Sequence, residues 1–234
     1  NGRLQTLLSS ELLEWKMPAY RDYHNWITLD YDISVKSAHR QTGGNIDNYQ
    51  LDELNSALAY CTSFRTAIDI GAHIGMISNQ LSKRFRSVES FEIDTDVFEC
   101  LKQNMQNKTS NVNIHNFGIG DSERDVDLRK TAKTFSTHVI HNSVGDYKIK
   151  SLDQLNFDSV DFIKIDAEGF EPLIANGAIE TIKKHKPIIL YERKQHPQRY
   201  GYERDSFLEI LKPFGYTMLR KLGRGEKNAV IGVA

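Results

Sequence analysis

The sequence is short of cysteine, proline and glycine, and its charges almost cancel. Two cysteines in 234 residues, Cys61 and Cys100, are too few for a disulfide framework and form no C-x-x-C pair, which predicts a reducing, cytoplasmic location. The 15 glycines and 5 prolines fall below the usual combined share of about 12%, which excludes collagen-like and low-complexity chains. Since the net charge is -1, nucleic acid is not an expected partner, and an anionic ligand would need a local basic patch.

The sequence also lacks the apolar run of about 20 residues that a membrane span requires, which predicts a soluble protein. Its first residues, Asn1-Gly2-Arg3, include neither an initiator methionine nor the apolar region of a signal peptide, so we expect the chain to begin at a trimmed boundary. A length of 234 residues predicts one domain with a small appendage. Composition predicts no particular oligomeric state.

From residue 66 onward, short β-branched runs alternate with longer segments of helical period, which is typical of a parallel sheet with helices on both faces. Five runs predict buried strands: Thr66 to Ile70, Val88 to Glu92, Val112 to Phe117, Val160 to Ile165 and Ile188 to Tyr191. Apolar residues three and four positions apart predict helices after the first, second and fourth of these strands. These helices are centred on Ile74 to Phe85, Val97 to Met105 and Leu173 to Ile182. The pattern predicts an α/β fold.

The C-terminal end breaks this alternation. A helix around Phe207 to Leu211 is stopped by Pro213. After it, Tyr216 to Leu219 and Ala229 to Val233 flank a short turn-like segment, which predicts an antiparallel hairpin at the end of the sheet.

At the other end, residues 1–50 are predicted to form a small N-terminal cap, and residues 51–234 the main domain, which a helix at Leu51 to Tyr60 begins. Within the cap, Trp26 to Leu29 and Ile33 to Ser37 predict a small hairpin. The aromatic residues of this region either stack on a sugar or macrocycle or pack the cap onto the core. They are Trp15, Tyr20, Tyr23, Trp26 and Tyr31.

The clearest local signal is a glycine loop between a predicted strand and a predicted helix. It reads Asp69-Ile70-Gly71-Ala72-His73-Ile74-Gly75. Gly71 and Gly75 permit backbone conformations and close contacts that a Cβ would forbid, and the following helix N-terminus offers free N–H groups to a negative ligand group. The dinucleotide fingerprint G-x-G-x-x-G is not met, because His73 stands at its second glycine. This disfavours a pyrophosphate-containing cofactor.

Acidic residues follow three further predicted strands. Glu92 closes the second strand 21 residues beyond Gly71, near the spacing of about 20 expected for an acid that binds ribose hydroxyls. Asp166 and Glu168 follow the fourth strand, and Glu192 follows the fifth. Because ligands of open α/β sheets lie beyond the carboxyl ends of the strands, we expect these acids to share a crevice with the glycine loop. Together the signals predict a site for a nucleoside-type cofactor.

The pattern D-x-G-x-x-x-G of the loop resembles motif I of methyltransferases that use S-adenosylmethionine (SAM). Three further segments resemble the FkbM family of these enzymes: Lys148 to Leu155, Asp161 to Glu171 and Asn176 to Ala178. The resemblance runs from about Thr66 to about Glu192. It implies a Rossmann-like class I methyltransferase fold with a mostly parallel, seven-stranded sheet, SAM as the cofactor and S-adenosylhomocysteine as the product.

The resemblance also implies roles for individual residues. Asp69, Gly71 and Gly75, with His73 in the same loop, are expected around the methionine end of SAM, and Glu92 on its ribose. Asp166 is expected in the same cofactor site. Asp121 ends a segment that resembles the one beside the adenine, although Gly120-Asp121 is equally an ordinary turn signal. The chain departs from the family at three positions that bear on the methionine pocket, where Asn, Pro and Val are usual: His73, Ile93 and Ala167.

The resemblance implies a SAM-dependent O-methyltransferase acting on a hydroxyl of a glycan, a polyketide or a related small molecule. A hydroxyl acceptor needs a base, for which the candidates are Asp166, Glu168 and Glu192 or one of three histidines, His138, His141 and His196. No metal ligand is assigned, although a divalent cation held by Asp166 and other acids is an alternative. Two other functions stay open, an NAD(P)-dependent oxidoreductase or epimerase and a non-catalytic nucleotide-binding module.

Overall fold

A computed structural model describes residues 20–29, 33–130, 137–140 and 142–233. These residues form fourteen strands: β1 (Tyr20–Asp22), β2 (Ile27–Leu29), β3 (Thr66–Ile70), β4 (Ser87–Phe91), β5 (Val112–His115), β6 (Gly118–Gly120), β7 (Arg124–Val126), β8 (Leu128–Lys130), β9 (Thr137–Val139), β10 (Tyr147–Ser151), β11 (Phe162–Ile165), β12 (Ile188–Glu192), β13 (Tyr216–Leu222) and β14 (Asn228–Val233). The same residues form seven α-helices: α1 (Ile33–Gln41), α2 (Leu51–Leu58), α3 (Met76–Ser82), α4 (Thr95–Lys108), α5 (Glu171–Asn176), α6 (Ile179–His185) and α7 (Ser206–Leu211).

Seven of the strands form one central sheet in the order β13-β14-β12-β11-β3-β4-β5. Neighbours pair in parallel except at β14, which is antiparallel to both β12 and β13. This arrangement confirms the predicted mostly parallel sheet with a C-terminal antiparallel hairpin. The chain runs from β3 through β4 to β5 on one side and later adds β11 and β12 on the other. A ligand is therefore expected at the carboxyl ends of β3 and β11, where the strand order reverses.

The central strands are apolar because both faces of the sheet are buried. On one face, Ile163 and Ile165 of β11 belong to the same apolar core as Leu173 and Ile182, which lie in α5 and α6. On the other face, Phe162 belongs to a second core with residues of α2 and α3. The predicted βαβ alternation therefore places helices on both faces, and the polar residues at the strand ends are left to form a site.

The predicted hairpin of Trp26 to Leu29 with Ile33 to Ser37 is wrong. Strand β2 pairs with β1, which precedes it, and the second segment lies in helix α1. The Asp22 carboxylate accepts a 2.9 Å hydrogen bond from the backbone N–H of Asn25. His24 (φ 54°) and Asn25 (φ 66°) are left-handed, a conformation in which both residue types are enriched. This polar turn therefore joins β1 to β2. The β-branched residues that suggested a strand at Ile33 to Ser37 do not determine the pairing.

The predicted helix over Leu173 to Ile182 is two helices, α5 and α6. The break falls at Gly177, where a Cβ would lie 1.9 Å from the carbonyl oxygen of Gly120. The second helix starts there because Asp153 accepts hydrogen bonds of 3.1 and 2.7 Å from two backbone N–H groups of its first turn, which replaces a local cap. The apolar period continues across the break, so the sequence pattern does not reveal it.

Two small sheets between residues 118 and 151 are not predicted from the sequence. Strands β6, β10 and β7 form a three-stranded sheet in that order, and β8 pairs with β9. Most of these strands have three residues, which is too short for a period of two to be recognised. They matter for function because residues of β6, β9 and β10 lie beside the carboxyl ends of the central strands.

The described part of the N-terminal region packs against α4. The Asn104 side chain accepts a 2.8 Å hydrogen bond from the backbone N–H of Ile27 and donates one of 2.9 Å to its carbonyl oxygen. Trp26 is buried, and its indole N–H donates to Asp47, so this aromatic residue packs. Trp15 and Tyr31 lie outside the described residues, and the division at residue 50 stays a prediction. Every described helix is too short or too polar to cross a lipid bilayer.

Candidate functional site

The glycine loop after β3 is built by close backbone contacts. Gly71 has a left-handed φ of +77°, and a Cβ there would lie 2.0 Å from the carbonyl oxygen of Asp166. The N–H groups of Gly71 and Ala72 both donate to the carbonyl oxygen of Phe91 at 3.0 Å. Gly75 has a φ of +95° and packs against Met105 of α4. Both glycines are therefore required by geometry, and the loop touches the end of β11.

Glu92 ties this loop to the end of β4. One carboxylate oxygen, Oε2, accepts a 2.9 Å hydrogen bond from the backbone N–H of His73, and Oε1 accepts one of 2.9 Å from that of Asp94. Burial raises the pKa of Glu92, against the effect of the hydrogen bond from Asp94. Each oxygen still has a lone pair with which it can accept a further hydrogen bond. The carboxylate can therefore hold the loop and bind hydroxyl groups at the same time.

Asp69 lies beneath the loop. It is fully buried, and its Oδ2 accepts a 2.6 Å hydrogen bond from the Ser78 hydroxyl, which in turn accepts one of 2.9 Å from Ser90. Burial raises the pKa of Asp69. This network joins β3, α3 and β4, so Asp69 supports the loop from the side away from the crevice.

A cavity of about 760 Å³ opens at the carboxyl ends of the central strands. Its volume is in the range of about 300 to 1,000 Å³ that is usual for small-molecule sites. Six of the predicted site residues line it: Gly71, His73, Glu92, Asp166, Glu168 and Glu192. Asp69 and Gly75, the two end residues of the loop, do not line the cavity. Asp121 lies at a separate turn, where it forms a 2.6 Å ion pair with Arg124.

An ion pair between a buried lysine and a half-buried aspartate lies at the end of β11. The Nζ atom of Lys164 lies 3.4 Å from Oδ2 of Asp166, and both residues line the cavity. Although burial opposes ionisation, Lys164 and then Lys194 hold the pKa of Asp166 below its ordinary value. Asp166, followed by Asp69, raises the pKa of Lys164 against the effect of burial. The cavity floor thus presents one positive and one negative group side by side.

Glu168, Glu192 and His196 form a second polar cluster. The Nδ1 atom of His196 lies 2.8 Å from Oε2 of Glu168 and 3.8 Å from Oε2 of Glu192. Lys194 forms an ion pair with Oε1 of Glu192. Burial and the nearby Asp166 raise the pKa of Glu192 to about 9. One ligand atom from each of Glu168, Glu192 and His196 lies within 4.8 Å of the others, which a cation could use.

The candidate histidines differ in position. His138 lines the cavity, and burial followed by Arg199 lowers its pKa. His196 lies behind Glu168, with which it forms the ion pair. His141 lies outside the described residues. A histidine base that contacts a ligand directly would therefore be His138, whereas His196 can act only through a carboxylate.

Glu171 holds the backbone of the turn that carries Glu168, and the sequence did not single it out as a site residue. It is buried, and its Oε1 accepts hydrogen bonds from the backbone N–H groups of Ala167 (3.1 Å) and Gly169 (3.3 Å). Burial raises the pKa of Glu171 to about 7. It holds the turn after β11 as Glu92 holds the loop after β3. Its place in the FkbM-like segment was a signal that could have found it.

Residues from outside the motifs complete the cavity wall. Tyr49 and Gln50 reach it from the segment before α2, and Arg224 and Lys227 from the turn between β13 and β14. Burial and then Asp166 raise the pKa of Tyr49. No motif marks these four residues, and only the folded chain brings them to the site.

Comparison with known proteins identifies the family of this chain. The family model "Methyltransferase FkbM domain" matches residues 69–218, which is more than half of the chain. The chain belongs to the FkbM methyltransferase family. This finding confirms the resemblance seen in the sequence and makes the chain a member of a methyltransferase family. No curated protein sequence matches the chain.

The fold of this chain is similar to that of a solved FkbM structure. The FkbM methyltransferase from Methylobacillus flagellatus KT aligns with a TM-score of 0.51 and 21% identity, over 72% of this chain and 43% of its own. This chain therefore spans less than half of that protein. A SAM-dependent methyltransferase from Aquifex aeolicus aligns with a TM-score of 0.49 and 11% identity, over 88% of this chain and 100% of its own. The sheet order of this chain and its alignment with the FkbM structure confirm the predicted Rossmann-like class I methyltransferase fold.

Proposed function

We propose that this FkbM family member is a SAM-dependent O-methyltransferase that methylates a hydroxyl group of a glycan, a polyketide or a related small molecule. The observation that carries the proposal is Glu92, which fixes the glycine loop and lines the same cavity as the acids of β11 and β12. We call the loop 69–75 with Glu92 the donor half of the cavity. We call Glu168, Glu192, Lys194 and the turn 223–227 the acceptor half.

The residues of the donor half fit SAM. Glu92 keeps lone pairs for the ribose hydroxyls after accepting its two backbone N–H groups. Because Gly71 has no Cβ, the loop can close against the Asp166 carbonyl oxygen, which brings the loop backbone and Asp166 to the same wall of the cavity. Next to the donor half, Lys164 and Asp166 offer opposite charges side by side, which suits the carboxylate and ammonium groups of the methionine end.

The acceptor half supplies the groups for proton removal. Bound SAM provides a methyl group on a sulfonium; the acceptor oxygen forms a C–O bond as the C–S bond breaks, and the hydroxyl proton must leave. Neighbouring acids whose pKa values are pushed apart are typical of acid–base sites. Asp166 has a lowered pKa, and Glu192 a raised one of about 9. In this proposal ionised Glu192 takes the proton, and Asp166 remains ionised beside the methionine end.

Glu168 and His196 extend this path. The Nδ1 atom of His196 lies 2.8 Å from Oε2 of Glu168, which places an imidazole ring beside this carboxylate. A divalent cation at Glu168, Glu192 and His196 is the competing arrangement. Since the ammonium of Lys194 is already paired with Glu192, we assign the proton transfer to the carboxylates and no ligand to a metal.

Binding and turnover experiments test the proposal. Calorimetry with SAM, S-adenosylhomocysteine and NADH is expected to show binding of the first two only. Binding of NADH alone would favour the oxidoreductase or epimerase alternative, and binding of none would favour a non-catalytic module. A screen of hydroxylated glycans and macrocycles, followed by release of S-adenosylhomocysteine, identifies the acceptor.

The base assignment has its own test. Glu192→Gln is expected to lower turnover by about 10²- to 10⁴-fold, the usual contribution of a general base, with SAM affinity changed by less than about threefold. Because the pKa of Glu192 is about 9, wild-type turnover should rise with pH towards that value. The exposed Glu180→Gln variant is the control. Unchanged turnover of Glu192→Gln, or loss of activity on chelation, moves the chemistry to another group.

A further inference from the structure

The turn between β13 and β14 stands at the mouth of the acceptor half. Gly223, Arg224, Lys227 and Asn228 all line the cavity. Asn228 is the register partner of Glu192 in the pairing of β14 with β12. A molecule that places a hydroxyl group near Glu192 therefore has this turn as its neighbour on the side away from the donor half.

The backbone of the turn is held in place by neighbouring arginines. The Arg204 guanidinium donates hydrogen bonds of 3.2 Å to the carbonyl oxygen of Gly225 and 3.0 Å to that of Glu226. The backbone N–H of Arg193 donates to the carbonyl oxygen of Lys227. These contacts fix the position of the turn, so its side chains start from a defined place at the cavity mouth.

The turn separates its charges. Its one acidic residue, Glu226, forms ion pairs with two cations outside the turn. Oε2 of Glu226 lies 2.9 Å from Nζ of Lys221 and 3.9 Å from a guanidinium nitrogen of Arg193. Lys221 lowers the pKa of Glu226. Arg224 and Lys227 are exposed cavity-lining residues and form no ion pair with any residue that the structure describes.

The other charged groups at this end of the cavity are a carboxylate, Glu53, and a lysine in an ion pair, Lys194. Glu53 lines the mouth but accepts a hydrogen bond from the Asn228 amide. Lys194 is paired with Glu192. The two cations of the turn thus outnumber the one carboxylate at the mouth, Glu53, in a chain whose net charge is only -1. A local basic patch of this kind is what an anionic partner requires.

We propose that the methyl acceptor carries an anionic group, a carboxylate or a phosphate, and that Arg224 and Lys227 bind it while the reacting hydroxyl lies at Glu192. The inference rests on the proposed methyltransferase function and names the substrate class. The planar guanidinium of Arg224 can bind either group with two hydrogen bonds, and Lys227 adds a point charge. The neutral remainder of the acceptor then contacts the cavity wall.

Matched probes that differ only in charge test the proposal. Calorimetry in the presence of S-adenosylhomocysteine compares tetragalacturonate with its methyl ester, and glucose 6-phosphate with glucose. We expect an anionic member to bind about tenfold more tightly than its neutral partner at low salt, with the difference shrinking as salt is added. A preference in the galacturonate pair would identify a carboxylate as the bound group, and a preference in the glucose pair would identify a phosphate.

Variants assign the preference to the turn. The double variant Arg224→Gln with Lys227→Gln should lose the preference for the anionic probe and keep its affinity for SAM. The control is Arg220→Gln, because Arg220 is an exposed cation of the same hairpin that does not line the cavity. This control should retain the preference for the anionic probe. Equal binding of both members in every pair overturns the inference, as does a preference that survives in the double variant or is lost in Arg220→Gln. Failure of SAM to bind the wild type would instead overturn the proposed function.

Discussion

The two halves of the cavity are built in different ways. In the donor half, the geometry depends mainly on the backbone. Gly71 lies against the carbonyl of Asp166, and Glu92 accepts hydrogen bonds from two backbone N–H groups. In the acceptor half, the geometry depends on side-chain charges, such as the pairs of Glu168 with His196 and Glu192 with Lys194. The donor half therefore tolerates few substitutions, whereas the acceptor half can change its ligand by changing single charges.

The largest expected effect comes from adding a Cβ atom at Gly71, where the glycine loop contacts β11. Gly71→Ala puts a Cβ about where the Asp166 carbonyl stands, at 2.0 Å, on a backbone with a φ of +77°. Because the obstacle is backbone and cannot rotate away, we expect a loss of at least about 4 kcal/mol in the free energy of unfolding and no measurable SAM binding. Chemical denaturation and calorimetry measure the two effects.

Gly201→Ala is a matched control for this prediction. Gly201 has nearly the same φ, +79°, but nothing lies within 4 Å of its Cβ position. Only the left-handed backbone should then cost free energy, about 1 kcal/mol. If Gly71→Ala were no more destabilising than this control, the close contact of the loop with β11 would be wrong.

The next effect concerns Glu171, which holds the turn that leads into the acceptor half. Its pKa is raised from 4.5 to about 7 by burial, so the folded protein binds the proton more tightly than the unfolded chain. Its contribution to stability is complete below pH 4.5 and is lost as the pH rises through 7. Relative to Glu171→Gln, the wild type should lose roughly 3 kcal/mol of stability between about pH 4.5 and 8.

Denaturation curves over this pH range measure the difference. The amide oxygen of Gln can still accept from Ala167 and Gly169, so the turn is retained in the variant. The exposed Glu180→Gln should differ from the wild type by a nearly constant amount across the same range. A constant difference for Glu171→Gln as well would show that Glu171 is ionised in the folded protein over this range.

The donor half was largely predictable from the sequence. Gly71, Gly75 and Glu92 act through backbone geometry and strand ends, and their spacing along the chain records that geometry directly. Five strands of the central sheet and its C-terminal hairpin were found for a related reason, since buried strands leave apolar runs between polar turns. Here the local pattern and the tertiary structure carry the same information.

The acceptor half was only partly predictable. Its acids follow strands and were found, and Lys194 lies two residues beyond Glu192, but Arg224 and Lys227 reach the cavity only when the C-terminal hairpin has folded. Helix α6 begins where Asp153 caps it from 27 residues away, and the turn 223–227 is held by Arg204. Long-range side-chain contacts of this kind leave no periodic signal. The three-residue strands of the small sheets were missed because they are too short for a period of two to be recognised.

Glu92→Gln tests whether the donor half depends on a charge as well as on its backbone. The amide can accept from only one of the two N–H groups at His73 and Asp94, and it lacks the negative charge that would bind ribose hydroxyls. A hydrogen bond to a charged group contributes about 1.5 to 3 kcal/mol, so SAM affinity should fall about 10- to 100-fold. Affinity within twofold of the wild type would remove Glu92 from the donor site.

Calorimetry with Glu99→Gln provides the comparison for that measurement. Glu99 is a carboxylate on α4 that pairs with Lys102 near the surface, so the same chemical change there should leave SAM affinity unaltered. A parallel loss in both variants would mean that net charge, rather than contact, controls the affinity.

The smallest effect is expected at Asp69, which belongs to the loop but faces away from the cavity. In Asp69→Asn the amide oxygen can still accept from Ser78, so we expect SAM affinity to change by less than about threefold. The amide N–H₂ would replace Oδ1, which has no partner among the described residues, and an unpaired buried donor should cost about 1 to 2 kcal/mol of stability. A loss of affinity as large as that of Glu92→Gln would instead mean that Asp69 contacts SAM, and that the loop shifts when the ligand binds.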